Sequence, residues 1–267
     1  MLEFQNGMAL EDATLIQPGV IADDKADSLI REALTIATTH AEIEADHLMP
    51  GYMKDVYYWA YLNPRNVRLL DRNVVVDVIL WFQHQKLQQA TLAELEPGQR
   101  VLMPASVYGD FCWNLARHLG SEADLEILDI APIQVKRCRE KVASLPWVSV
   151  NRGNAAYLGD RLVDSICCYF LLHEVPLHYK YAIVQELLDH VGPGGKVVFV
   201  DYHKPHWAHP LKPITSIVFD TLEPFAKDMW RHPIEKFAAG DTRFSWRQQS
   251  FFGGLFQMAV AERTNSG

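Results

Sequence analysis

From Gly98 onward, short apolar runs alternate with amphipathic stretches of helical period, the pattern of a parallel sheet built from strand–helix–strand units. Strands are predicted over Arg100–Pro104, Leu125–Asp129, Val148–Asn151, Val163–Phe170 and Lys196–Tyr202, and helices over Phe111–Leu119, Ile133–Val142 and Tyr179–Val191. The third helix carries Ile183, Val184, Leu187, Leu188 and Val191 on one stripe. Gly192-Pro193-Gly194-Gly195 then predicts a left-handed glycine cap followed by a break. Farther on, EPFAKDMWRH predicts helix, and FSWRQQSFFGGLFQMAVAE predicts a hairpin turning at Gly253-Gly254. Upstream, Leu29, Ile30, Ala33, Leu34 and Ala37 recur at helical spacing within Asp27–His47. In GYMKDVYYWAYLNP, Tyr57 and Tyr61 share a helix face, with Trp59 on another, before Pro64 limits the helix. Residues 1–97 are thus expected to form a helical extension or lid, and residues 98–267 one compact α/β unit.

Composition narrows the partners. A chain of 267 residues, 49% hydrophobic and 22% charged, is globular by its averages. A formal charge of −8 with no lysine and arginine cluster argues against nucleic acid and for a small-molecule substrate. Val74–Phe82 is interrupted by Asp77 and is far shorter than a membrane-spanning helix, so no stable membrane insertion is expected. The acidic N-terminus MLEFQNGMALEDATL lacks the features of a signal peptide, which predicts a cytoplasmic protein. Cys112, Cys138, Cys167 and Cys168 show no CxxC spacing and read as buried small hydrophobes, the adjacent pair facing opposite sides of a strand.

In an open parallel sheet, ligands bind beyond the carboxyl ends of the strands. Here those ends read MPASVYGDF, LDIAP, NRGNAA, CCYFLLHE and VDYHKPH. Asp129 fits an acceptor for two ribose hydroxyls, against the competing role of a helix cap. Asn154 offers a donor and an acceptor, as an adenine edge requires, though a turn asparagine beside Gly153 reads the same way. The aromatic segment around Tyr57 is either a packing face or a lid over a cationic ligand. Asp201, His203, His206 and His209, with His173 and Glu174 nearby, carry ligand chemistry, but histidines three apart in a loop with Pro205 and Pro210 share no regular face. No metal is expected, and His203 is read instead as a base or orienting group.

Taken together, VLMPASVYGD, LEILDIAP, NRGNAA, FLLHEVP and VGPGGKVVFVDYH resemble the motif series of class I S-adenosylmethionine-dependent methyltransferases. The resemblance implies a Rossmann-like fold with a mostly parallel central sheet, helices on both faces, and S-adenosylmethionine as ligand. In the glycine motif the aligned residues are Met103, Ala105, Val107 and Gly109, so one glycine remains and the methionyl end must be held differently. The implied binding residues are Ala105, Ser106, Tyr108, Gly109, Asp110, Asp129, Ile130, Asn154, Ala155, Tyr169 and His173.

More narrowly, YYWAYLNPRNVRLLDR, VYGDF, DIAPIQ, CYFLLHEVP, VDYHKPHWAHPLK, LEPFAKDMWRH and FFGGLFQ are similar to the rhodoquinone-biosynthesis methyltransferase-like family, over about Tyr52 to Ala261. That family implies unusual chemistry: amination of a quinone with S-adenosylmethionine as amino donor or, in relatives, cyclisation of S-adenosylmethionine to azetidine-2-carboxylate and 5′-methylthioadenosine. Asn154 and Tyr169 stand where the aminating members carry Asp and Phe, and no basic amphipathic segment offers a lipid-docking face. These departures favour the cyclase, with S-adenosylmethionine as the substrate. Tyr57, Tyr61 and Tyr169 would enclose the sulfonium while Asn154, Tyr169 and His203 orient the amine. Quinone amination and small-molecule methylation remain the alternatives, and a non-catalytic scaffold is the least favoured reading.

Overall fold

The computed structural model describes residues 49–264; the helix expected over Asp27–His47 lies outside them. The strands are β1 Arg100–Met103, β2 Asp124–Asp129, β3 Val148–Arg152, β4 Val163–Tyr169, β5 Val191–Tyr202, β6 Phe244–Phe251 and β7 Phe256–Arg263. They form one sheet in the order β3-β2-β1-β4-β5-β7-β6. Strands β1 to β5 are mutually parallel, and β7 runs antiparallel between β5 and β6. The order reverses between β1 and β4, where the fold leaves a crevice at the strand ends.

Both faces of the central sheet are covered, which is why its inner strands are apolar on both sides. Along β4, Cys167 and Tyr169 join the core under helices Phe111–Leu119 (α5) and Pro132–Val142 (α6), whereas Ile166 and Cys168 join the core under Leu177–Asp189 (α7). The adjacent cysteines therefore face opposite sides, and all four are free and buried.

Among the described residues, four short helices precede the sheet: Gly51–Asp55 (α1), Pro64–Leu70 (α2), Asn73–Ile79 (α3) and His84–Leu92 (α4). Tyr58–Leu62 is a π-helical turn, closed by Asn63 N–H donating to Tyr58 O at 2.9 Å. Tyr57 and Tyr61 do lie together, their ring centroids 5.9 Å apart.

The Gly192–Gly195 segment corrects one expectation. Helix α7 ends at Asp189 with His190 as its cap, and the glycines belong to β5, which pairs through Val163↔Val191 and resumes at Ser165↔Lys196 after an irregularity. Gly195 has to be glycine there, because a Cβ would stand 2.3 Å from Asp164 O. Of EPFAKDMWRH only Asp228–Arg231 (α9) is helical, and a helix not foreseen, Lys212–Thr221 (α8), precedes it. The terminal hairpin is as expected, with Phe251 opposite Phe256.

Candidate active site

The β1 loop is pinned before any ligand is considered. Asp71, with only 4% of its side chain exposed, accepts from Arg137 at 2.8 Å, from Gly109 N–H at 3.2 Å and from Lys141. Lys141 also donates to Gly109 O at 2.9 Å. Gly109, at φ +80°, lies where a Cβ would meet Asn73 Oδ1 at 3.2 Å and Val76 Cγ2 at 3.3 Å. The single glycine left in the motif is thus required by loop geometry.

A pocket of about 50 Å³ sits at the ends of β1, β2 and β3, walled by Ala105, Ser106, Asp129, Ile130, Asn154 and Ala155 among others. Asp129 Oδ2 accepts from Ser106 N–H at 3.1 Å and Ser106 Oγ at 2.6 Å, and Oδ1 accepts from Ala131 N–H at 2.9 Å. Asp129 thus holds the turn that leads into α6 without capping the helix, whose N-cap is Ala131 with no side-chain cap bond. A carboxylate has about four acceptor positions. The backbone N–H of Ile130 bonds it as well, so the positions held by the Ser106 hydroxyl and N–H are the two that a ribose diol would take. Burial raises the Asp129 carboxyl to about 6, against the opposing hydrogen bonds from Ser106 and Ala131.

Asn154 is a turn asparagine, and one of its amide atoms is left over for a ligand. Its Oδ1 accepts from Ala156 N–H at 2.9 Å in an asparagine turn, which fixes the amide orientation and leaves Nδ2 buried without a partner. A buried donor left unpaired costs about 1–3 kcal/mol, and an adenine ring nitrogen would satisfy it.

Beside this pocket lies a second chamber of about 140 Å³, lined by apolar and aromatic side chains including Trp59, Leu70, Ile79, Tyr108, Phe111 and Tyr169. The two share Tyr61, Ser106, Phe170 and Glu174. Tyr169 stacks on Phe111 with centroids 3.9 Å apart, and its hydroxyl is buried without a partner. Tyr61 stacks on Tyr108 at 5.5 Å and donates to Glu174 Oε1; the buried Tyr57 donates to Glu223 Oε2 at 2.8 Å. The aromatic segment is thus divided, with Tyr57 packed away from both cavities and Tyr61 in the wall between them.

Behind the chamber is a buried charge cluster. His173 Nδ1 lies 2.9 Å from Asp201 Oδ1, an ion pair without hydrogen-bond alignment, and His173 Nε2 is 3.8 Å from Glu174 Oε1. Burial pulls the imidazole down, but Asp201, Glu174 and Glu223 outweigh it and hold His173 at about 9. Burial pushes Glu174 up to about 8, with His173 opposing and Glu223 adding. Burial also raises Glu223. The segment bearing Glu223 is tethered by the buried Lys180, which donates to Phe225 O at 3.0 Å.

Besides Tyr57, further expected site residues lie elsewhere. Asp110 accepts from Asn73 at 3.1 Å and Gln88 at 2.9 Å, facing the N-terminal helices because the loop turns at Gly109. His203 is not brought to either cavity: its Nδ1 is 2.9 Å from Gly254 O, at the hairpin turn. Gly109 acts through loop shape. Among the described residues, no group of three or more His, Cys, Asp and Glu is arranged to hold a metal. His206 and His209 instead accept from the backbone N–H groups of Ala208 and Leu211. Sequence reasoning missed Glu223 and Phe111 as chamber residues, and considered Glu174 only as a metal ligand.

Two expectations follow. Tyr169→Phe removes an unpaired buried hydroxyl, so the fold should hold or gain up to about 1–2 kcal/mol in denaturant unfolding while turnover falls; a destabilised variant would mean the hydroxyl is structurally bonded. The second concerns pH. His173 is raised from 6.5 to about 9 and Glu174 from 4.5 to about 8. Both groups bind protons more tightly when folded, so their stabilisation is complete at low pH and is lost as pH rises, through about 8 for Glu174 and about 9 for His173. The unfolding free energy from urea melts should fall as pH rises from about 4.5 to about 9, and Asp201→Asn should flatten the His173 part of that slope; a free energy that does not fall over this range would mean that neither group is held protonated by the fold.

The sequence matches no family model and no curated protein. Solved structures do match the fold. Mitomycin 7-O-methyltransferase superposes with a TM-score of 0.58 at 12% identity, over 78% of this chain and 61% of its own. An O-methyltransferase family protein from Burkholderia thailandensis gives 0.54 at 14% identity, over 78% and 64%. A SAM-dependent methyltransferase from Aquifex aeolicus gives 0.51 at 18% identity, over 76% and 99%. This chain thus spans less than two thirds of the first two. With the strand order above, these likenesses show a Rossmann-like class I methyltransferase fold, and they speak to the fold alone.

Proposed function

We propose that this chain binds S-adenosylmethionine in the Asp129–Asn154 pocket and uses it as donor to a second, apolar substrate held in the adjoining chamber. The observation that carries this reading is the junction: a polar pocket with an acceptor pair for a ribose and an orphan donor for an adenine shares four wall residues with an apolar chamber. Bound there, S-adenosylmethionine would supply a sulfonium with electrophilic carbons beside it. Asp129 would accept the ribose hydroxyls as Ser106 gives way, and Asn154 Nδ2 would meet the base. Tyr61, Tyr108 and Tyr169 offer aromatic faces to a cation. Glu174, held near 8 between the two cavities, is a base able to take a proton from the attacking group. At about 50 Å³ the pocket is well below the roughly 300–1,000 Å³ of ligand sites. Tyr52, Met53 and Tyr61, which also line it, must therefore move aside, in keeping with a lid.

Cyclisation to azetidine-2-carboxylate is the second reading. It is favoured by the chamber's small size, comparable to a cavity that holds one benzene, and by Glu174 as a base for the donor's own ammonium. Against it, the chamber's walls include Ile79, 45% exposed, and Trp59, 37% exposed, so it opens to the surface. Mass spectrometry of S-adenosylmethionine incubated alone, with phenols and with quinones distinguishes them. Acceptor-dependent consumption supports transfer, and the quinone arm covers amination. Release of 5′-methylthioadenosine and a four-membered amino acid from S-adenosylmethionine alone would overturn transfer in favour of cyclisation.

A further inference from the structure

We infer that the surface presented by residues 58–82 docks on anionic lipid bilayers. Helix α3, NVVVDVI, is apolar nearly all round, yet Val76 is its one buried residue. Val74 is 73% exposed and Phe82 75%, with Leu69, Val78 and Ile79 also exposed. An apolar face of this kind on a soluble fold marks an interaction surface. Trp81 and Phe82 follow one another at φ +50° and +59°. Left-handed backbone is costly for bulky residues and is held only where the surrounding structure imposes it. Here it ends α3 and leaves Phe82 in solvent.

Charge decides what this face meets. Arg65 and Arg68 on α2 and Arg72, the residue before α3, are all exposed. Among the described residues none of the three has an ion-pair partner. The acids of the same stretch are engaged: Asp71 with Arg137 and Lys141, and Asp77 with His84 at 3.2 Å. A chain of net charge −8 thus carries, in one place, exposed apolar side chains beside unpaired arginines. That combination is what holds a protein in the interface of an anionic leaflet. No helix among the described residues is long and apolar enough to cross a membrane, so the docking is peripheral. Trp59, Leu70 and Ile79 line the chamber, so its mouth lies within this face and would open toward the bilayer.

The test uses the full chain and vesicles, without S-adenosylmethionine, so its result is independent of the proposed chemistry. In co-sedimentation, the protein should bind phosphatidylcholine vesicles containing phosphatidylglycerol, and bind phosphatidylcholine alone far less. Replacing Arg65, Arg68 and Arg72 together by Gln should weaken binding about 100-fold, and Val78→Ser with Phe82→Ser should also release the protein. All five positions are exposed, and matched thermal unfolding would confirm intact folds. Failure to bind anionic vesicles, or binding unchanged in both variants, would overturn the proposal. So would sedimentation velocity showing a dimer that the Val78 and Phe82 changes dissociate, since the face would then meet a second copy.

Discussion

Asp129→Ala should weaken S-adenosylmethionine binding by about 100-fold or more, the loss expected when two hydrogen bonds to a charged acceptor go. Equilibrium dialysis with labelled ligand measures it, and circular dichroism checks the fold, because Ser106 and Ala131 also lose their acceptor. Binding to the wild type should also be pH-dependent. With the carboxyl at about 6, affinity should hold above that value and fall below it, as the protonated group can no longer accept on both oxygens. A variant that binds normally would mean that Asp129 serves only the Ser106 loop and the turn at Ala131.

Glu174→Gln should lower turnover by about 10²- to 10⁴-fold while leaving ligand affinity nearly unchanged, the signature of a lost proton acceptor. In the wild type the rate should climb as pH rises through about 8, where Glu174 gives up its proton, and the variant should lack that limb. The amide still accepts from Tyr61 and stands in for a carboxyl that is protonated near neutral pH, so the variant should fold about as well there. Turnover that survives with its pH profile intact would remove Glu174 from the chemistry and leave it as the anchor of Tyr61.

The inner parallel strands were legible because they are buried on both faces and read as short, nearly unbroken apolar runs, as in LEILD and SICCY; β3, VSVNR, at the edge of the sheet, is mostly exposed and alternates instead. Gly192–Gly195 misled because glycine next to proline has the same local signature in a helix cap as in an irregular strand. What decides is the tertiary approach of Asp164 O to Gly195. The strand-end rule located Asp129, Asn154 and Tyr169, residues whose position follows from the sheet alone. It missed Glu223, which follows β5 by 21 residues and reaches the chamber only through a helix that the pattern did not show and a tether to Lys180. It misplaced His203 and Asp110 because strand ends fix where a residue starts and say nothing of which way a loop turns it. Tyr57 failed for a related reason: helical spacing put it beside Tyr61, but its hydroxyl is committed to Glu223.

The account rests on a ligand pocket formed by Asp129 and Asn154, and titration calorimetry of the wild-type chain with S-adenosylmethionine and with S-adenosylhomocysteine tests it most directly. Both share the adenosyl group that the pocket is built to hold, so both should bind, one per chain, and compete for the same site. If a folded protein gives no binding with either, the pocket does not hold this nucleoside, and the function proposed for the chain is wrong.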